Sequence, residues 1–124
     1  RSNICSLIQR QLDAYNAKDV DAWLDTYSPS AEQYTLHGEC IARGHDEIRA
    51  RVLSRFAEPD LHARLLSRTV MGNIVVDHEI ITRNFPEGLG SLEILCVYET
   101  ADGLIQKASF AFGEKVIQSQ TSHA

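Results

Sequence analysis

The chain has 124 residues, 44% of them hydrophobic, and 12 Lys and Arg against 17 Asp and Glu give a formal net charge of -5. That is the length of one domain with enough apolar material for a single core, and the scattered, net acidic charge disfavours a nucleic-acid or acidic-membrane surface. The three cysteines, Cys5, Cys40 and Cys96, are odd in number and lack Cys-x-x-Cys spacing. They therefore indicate neither a disulfide framework nor a zinc knuckle, and reduced thiols in a cytoplasm fit better. Aliphatic runs such as Ile94 to Val97 are too short to span a bilayer, and Arg1 to Arg10 lacks the apolar centre of a signal peptide.

Ile4, Leu7, Ile8, Leu12 and Tyr15 recur at helical spacing and predict a first helix with one buried stripe. Asp19, in the break Ala17-Lys-Asp, can cap a short second helix carrying Val20, Trp23, Leu24 and Tyr27. Ser28-Pro29 ends it, because the residue before a proline is pushed out of helical dihedrals. Glu32 to His37 and Cys40 to Arg43 are short strand candidates around Gly38. A third helix follows Gly44, with Asp46 and Glu47 near its positive end, Ile48, Val52, Leu53 and Phe56 as its stripe, and Pro59 beyond it as a stop.

The remainder reads as β. Leu61 to Val70 and Ile74 to Arg83 flank Gly72-Asn73, a dipeptide suited to a two-residue turn. That turn pairs Met71 with Ile74, Thr69 with Val76, Arg68 with Asp77, Ser67 with His78 and Leu65 with Ile80. The expected core face then carries Met71, Ile74, Val76, Leu65, Ile80 and His78, leaving Arg64, Arg68, Asp77 and Glu79 outside. Phe85 to Gly90 is a loop, and Leu92 to Thr100 with Leu104 to Phe112 forms a last hairpin through Ala101-Asp-Gly103. Both faces of that hairpin are apolar, with Ile94, Cys96, Tyr98, Phe110 and Phe112 on one and Leu95, Val97, Ile105 and Ala111 on the other. Helices can cover one face, so a homodimer through the outer sheet face is expected to cover the second.

The stretch from Tyr98 to Lys115 closes in Phe112-Gly-Glu-Lys115, a signature similar to that of ketosteroid isomerase. With Asn16-Ala-Lys-Asp-Val-Asp-Ala-Trp-Leu-Asp-Thr-Tyr27 upstream, the chain resembles the nuclear transport factor 2-like superfamily, which also holds the SnoaL-type polyketide cyclases, scytalone dehydratase and limonene epoxide hydrolase. The resemblance implies an α+β fold, a cone-shaped, curved, mainly antiparallel sheet packed against three N-terminal helices (a cystatin-like roll). It would span 1–117 as one domain, with 118–124 as a polar C-terminal tail. A pocket between helices and sheet is implied with it.

In ketosteroid isomerase an aspartate base works with an oxyanion hole built from a tyrosine and a protonated aspartate. Carried over by the two anchors, the base falls on Thr35, the tyrosine on Gln11 and the protonated aspartate on or near Ile94. None of the three can perform its role, so steroid isomerisation by that mechanism is not expected.

His78 is the first catalytic candidate, because the register above places an imidazole, suited to proton transfer near neutral pH, on the apolar face. The plainer reading is a buried histidine satisfied by Ser67. A one-residue slip would instead turn Asp77 and Glu79 inward, a carboxylate pair suited to acid and base roles. Tyr15 and Tyr98 could polarise a substrate carbonyl or serve as ordinary core tyrosines. His37 shares a strand face with Thr35 that the resemblance turns toward the cavity, whereas the alternation of Tyr34 and Leu36 puts it at a rim. Gln11, Trp23, Thr35, Phe56, Ile94, Cys96, Tyr98, Phe110 and Phe112 are the expected pocket lining. Cys96 reads as a small hydrophobe rather than a nucleophile.

His37, His45 and His78 share no ligand spacing on one element, and Gly88-Leu-Gly90 opens no helix, so neither a metal nor a phosphate loop is indicated. The expected function is that of a cofactor-independent isomerase, cyclase or dehydratase acting by proton transfer on an apolar, carbonyl-bearing small molecule. A noncatalytic module that binds a hydrophobic ligand or serves dimerisation is the alternative.

Overall fold

The computed structural model describes residues 3–118, so all of the expected tail after Gln118 lies outside the described residues. Helix α1, Ile4–Ala17, begins where the Asn3 side chain accepts from the amides of Cys5 and Ser6 at 3.0 and 3.3 Å. It ends at Lys18, held in the left-handed region at φ 57°. Helix α2, Val20–Leu24, is capped as expected by Asp19, which accepts from Ala22 N at 3.1 Å. Tyr27, expected on this helix, instead opens strand β1, Tyr27–Thr35. The chain turns at Thr26, whose hydroxyl donates to the Trp23 carbonyl at 2.6 Å. Pro29 sits inside β1 where its register with β6 breaks, an irregularity suited to a residue with no amide donor.

Strand β2, Cys40–Arg43, leads into helix α3, Gly44–Phe56, where Glu47 Oε1 accepts from Arg43 N at 2.8 Å. Strands β3, His62–Met71, β4, Ile74–Phe85, β5, Gly88–Ala101, and β6, Leu104–Ile117, complete one open sheet in the order β2-β1-β6-β5-β4-β3. Among the described residues only the β1–β6 pair is parallel. Three helices and a mixed, mainly antiparallel six-stranded sheet make this an α+β fold. Among the described residues no helix is long and apolar enough to cross a membrane.

The loop expected from Phe85 to Gly90 is largely strand: Phe85 pairs with Gly88, leaving Pro86-Glu87 as the turn. Gly90 lets the strands approach here, since a Cβ at that position would lie 2.4 Å from the Val116 carbonyl oxygen.

Helix α1 is fastened to the sheet by Asn16, whose side chain donates to the Ala63 carbonyl at 2.9 Å and accepts from the Ala63 amide at 2.8 Å. The amide side chain thus acts as a strand partner and fixes which face of β3 and β4 the helix covers. The Gly72-Asn73 turn sets the expected pairs Met71–Ile74, Thr69–Val76, Arg68–Asp77 and Ser67–His78. A bulge between Leu65 and Ser67 then shifts the ladder, so Leu65 meets Glu79, and Ile80 meets Arg64 rather than Leu65.

The assignment of faces is the reverse of the expected one. Val75, Asp77, Glu79 and Ile81 are buried beneath the helices, His78 is half-buried on the other side, and Met71 is exposed. The charged face can be turned in because Arg68 comes with it. Its guanidinium donates to both carboxylate oxygens of Asp77, at 2.7 and 2.9 Å, and to Gln9 Oε1 on α1 at 2.9 Å. A bidentate pair of this kind neutralises a carboxylate that is wholly removed from water.

Candidate functional site

Between the helices and the inner sheet face lies a cavity of about 80 Å³. Helices contribute Gln11, Leu12 and Tyr15 from α1, Trp23 from α2, and Arg51, Val52 and Arg55 from α3. Tyr27 and Gln33 come from β1, and Glu79, Ile81 and Arg83 from β4. The remaining wall is Leu92, Ile94, Cys96 and Tyr98 of β5 with Phe110 and Phe112 of β6.

Glu79 is the acidic side chain of this lining. Its position follows from strand period: residue 77 is turned inward with Arg68, so residue 79 must follow. It pairs across the ladder with Ile94, an apolar neighbour offering no hydrogen bond. Burial pushes its carboxyl up from 4.5 to about 7, helped by the negative charge of Asp77 and by a hydrogen bond from the protonated form to that carboxylate. A carboxyl poised there exchanges protons in either direction at neutral pH.

Two buried side-chain polar atoms among the described residues lack a hydrogen-bond partner, Glu79 Oε2 and Trp23 Nε1, and both residues line the cavity. An unpaired acceptor and an unpaired donor around one cavity are costly for folding alone and are what a polar ligand would satisfy. Tyr15 adds a phenol that burial holds in its protonated, donating form. Phe56 packs edge-on against both Tyr15 and Trp23, at centroid distances of 5.4 and 6.3 Å, and so props the two donors from behind. Tyr98 and Gln11 satisfy one another, the phenol donating to Gln11 Oε1 at 3.3 Å.

Basic groups form the other rim. Arg83 donates to both oxygens of Glu58, and Arg55 donates to the same carboxylate at 3.0 Å. Burial alone would raise the Glu58 carboxyl, but Arg83, the Asn84 amide and Arg55 together hold it at about 2. Arg51 stands apart, donating to Gln33 Oε1 at 3.0 Å with its guanidinium 5.5 Å from the Phe110 ring centroid.

Of the residues expected from sequence, Tyr15, Gln11, Trp23, Ile94, Cys96, Tyr98, Phe110 and Phe112 line the cavity, Phe112 being half-exposed. Four do not. His78 lies in a shallow depression on the opposite sheet face, its Nε2 2.5 Å from Glu93 Oε2, because the face of β4 is inverted. His37 is exposed in the turn after β1. The Thr35 hydroxyl accepts from the Glu39 amide within that same turn, and Phe56 is second to the wall. In sequence Glu79 faces inward only if the register slips by one residue, and Arg51, Arg55 and Arg83 carry no signal, because neither helical nor strand spacing marks which basic residues lose their solvent.

The structure is thus an α+β roll with a narrow, mainly apolar cavity between helices and sheet that carries one carboxyl and three guanidinium groups. The SnoaL-like domain family model matches residues 8–108, and the chain belongs to that family. No curated protein matches at a significant level. Among solved structures, an uncharacterised cystatin-fold protein from Novosphingobium aromaticivorans is 23% identical, with 90% of this chain and 98% of that one covered and a TM-score of 0.81. A proposed polyketide cyclase from Sinorhizobium meliloti is 21% identical over 86% and 94% of the two chains, with a TM-score of 0.71. A protein of ketosteroid isomerase-like fold from Catenulispora acidiphila, in complex with trimethylamine, is 10% identical over 86% and 85%, with a TM-score of 0.75. These likenesses establish the fold.

Proposed function

We propose that the cavity carries out cofactor-independent proton transfer on a small carbonyl compound, with Glu79 as the acid–base group. The observation that carries this reading is the pair of unpartnered buried atoms, Glu79 Oε2 as acceptor and Trp23 Nε1 as donor, around one cavity. In the step envisaged, the Glu79 carboxylate takes a proton from a carbon beside the carbonyl. The C–H bond breaks, an O–H bond forms on Glu79, and the electron pair moves through the new C–C double bond onto the carbonyl oxygen. Trp23 Nε1–H and the Tyr15 phenol are the donors that receive the growing negative charge. Return of the proton to the same or another carbon regenerates Glu79, with no oxidant or reductant involved.

At about 80 Å³ the cavity is well below the roughly 300 Å³ at which drug-sized sites begin. A compound of few heavy atoms fits this reading better than a steroid or fused polycycle.

Small ketones incubated with the protein in deuterium oxide provide the test, read by NMR. Deuterium should enter the carbon beside the carbonyl faster than in buffer, and His78→Gln should leave that rate within about twofold, since the imidazole is half-exposed on the opposite face and paired with Glu93. Ligand binding without exchange would favour the noncatalytic alternative.

We also propose that a second copy of the chain covers the outer sheet face, where Leu95 is 40% exposed and Val97 and Ala111 are partly so. Sedimentation as a stable monomer at micromolar concentration would rule this out.

A further inference from the structure

Arg51 is a cation in the cavity wall that no described residue neutralises. Among the described residues it forms no ion pair, whereas Arg55 and Arg83 share Glu58, and Arg68 is matched by Asp77. Three guanidinium groups line the space against the single carboxyl of Glu79, and Glu58 behind them supplies one more negative charge. The cavity therefore keeps an excess of positive charge even when Glu79 is ionised.

The side chain is also held in place. Gln33, which is 1% exposed, accepts from Arg51 Nη1 at 3.0 Å and turns its own amide nitrogen to Tyr27 Oη at 3.3 Å. The Phe110 ring seats the guanidinium at 5.5 Å. A guanidinium has five N–H donors in a planar fork, and the single bond to Gln33 leaves most of them for a ligand. Burial disfavours its charged form, which an incoming anion would reverse.

We infer that the substrate is a small oxo-carboxylate, its carboxylate gripped by the Arg51 fork while its carbonyl-activated carbon faces Glu79. This rests on the proton-transfer reading for the second contact but not for the first. An arginine fork matches a carboxylate two bonds at a time, which a neutral ketone or an ester cannot reproduce. The substrate anion would supply the missing negative charge and fix which carbon meets Glu79.

The test compares 4-oxopentanoate with its methyl ester, two probes that share the ketone and differ in the anion, in NMR titrations of the folded protein. The wild type should bind the acid about tenfold or more tightly than the ester, Arg51→Gln should erase that preference, and Arg51→Lys should keep part of it. Equal binding of acid and ester by the wild type overturns the inference, as does failure to bind either at millimolar concentration. Retention of the preference by an Arg51→Gln protein with native circular dichroism overturns it too. Should Arg51→Gln not fold, the wild type and Arg51→Lys decide. Deuterium exchange on the same probes separates the two readings. A preference for the acid without exchange upholds carboxylate capture and defeats proton transfer, and exchange without the preference does the opposite.

Discussion

Replacing Glu79 by glutamine should abolish exchange and stabilise the protein in the same stroke, with both effects governed by pH. The carboxamide cannot take a proton from carbon, so deuterium incorporation should fall by about 10²- to 10⁴-fold, the usual worth of a positioned base. In the wild type the rate should rise with pH to a plateau through an inflection near 7, where the carboxyl ionises. Stability runs the other way. The folded carboxyl titrates at about 7 and an unfolded one near 4.5, so the folded state holds a proton between those values that the unfolded state has released. Glu79's favourable contribution is thus complete below about 4.5 and is lost as pH rises through 7. The shift corresponds to about 3 kcal/mol, an order-of-magnitude figure at roughly 1.4 kcal/mol per pKa unit. Glutamine never ionises, and at pH 8 the variant should melt about 10 °C above the wild type, converging with it at pH 4.5. Thermal melts at the two pH values check this; a variant equal to or below the wild type at pH 8 would contradict the burial of an ionisable Glu79.

Arg68→Met should be among the most damaging single changes in the molecule. It leaves the Asp77 carboxylate, at 0% exposure, with no counter-charge, and breaking a buried pair from one side commonly costs about 3 to 5 kcal/mol. Arg68 also reaches Gln9 on α1, so part of the loss should appear as weaker docking of that helix. Replacing both partners, Arg68→Met with Asp77→Leu, should recover much of the stability because no lone charge remains. Urea denaturation of the two single variants and the double variant measures the coupling. Additive losses would show that the pair is not the reason the charged face can be buried.

Much of the fold was legible in local patterns, and the candidate site much less so. Ile4, Leu7, Ile8 and Leu12 set one face of α1, Asp19 capped α2, and Gly72-Asn73 set the ladder between β3 and β4 as far as the bulge at Leu65. What that ladder could not tell was which side of it faces the helices. On β4, Ile74, Val76 and Ile80 stand on one face and Val75 and Ile81 on the other, so hydrophobic alternation favoured the wrong side by a single residue. The deciding facts are long-range. Asn16 clasps Ala63 from a distance of 47 residues, and Arg68 offsets the charge that would otherwise keep Asp77 outside. The expected pairing of Arg68 with Asp77 was sound, but an ion pair across two strands reads the same in sequence whether it is solvated or buried. The orphan Trp23 Nε1 and the unmatched Arg51 were beyond reach for a related reason, since a side chain's lack of a partner is a property of the assembled cavity.

The proposed proton transfer depends on a carboxyl on the inner face of β4 that burial raises to about 7. Its most direct test is an NMR titration of the side-chain carboxyl carbons, with the Glu79 resonance assigned by its disappearance in Glu79→Gln. This resonance should titrate at about 7. Titration at the ordinary value near 4.5 would contradict it, because a carboxyl already ionised and solvated would be neither buried in this cavity nor poised to exchange a proton there.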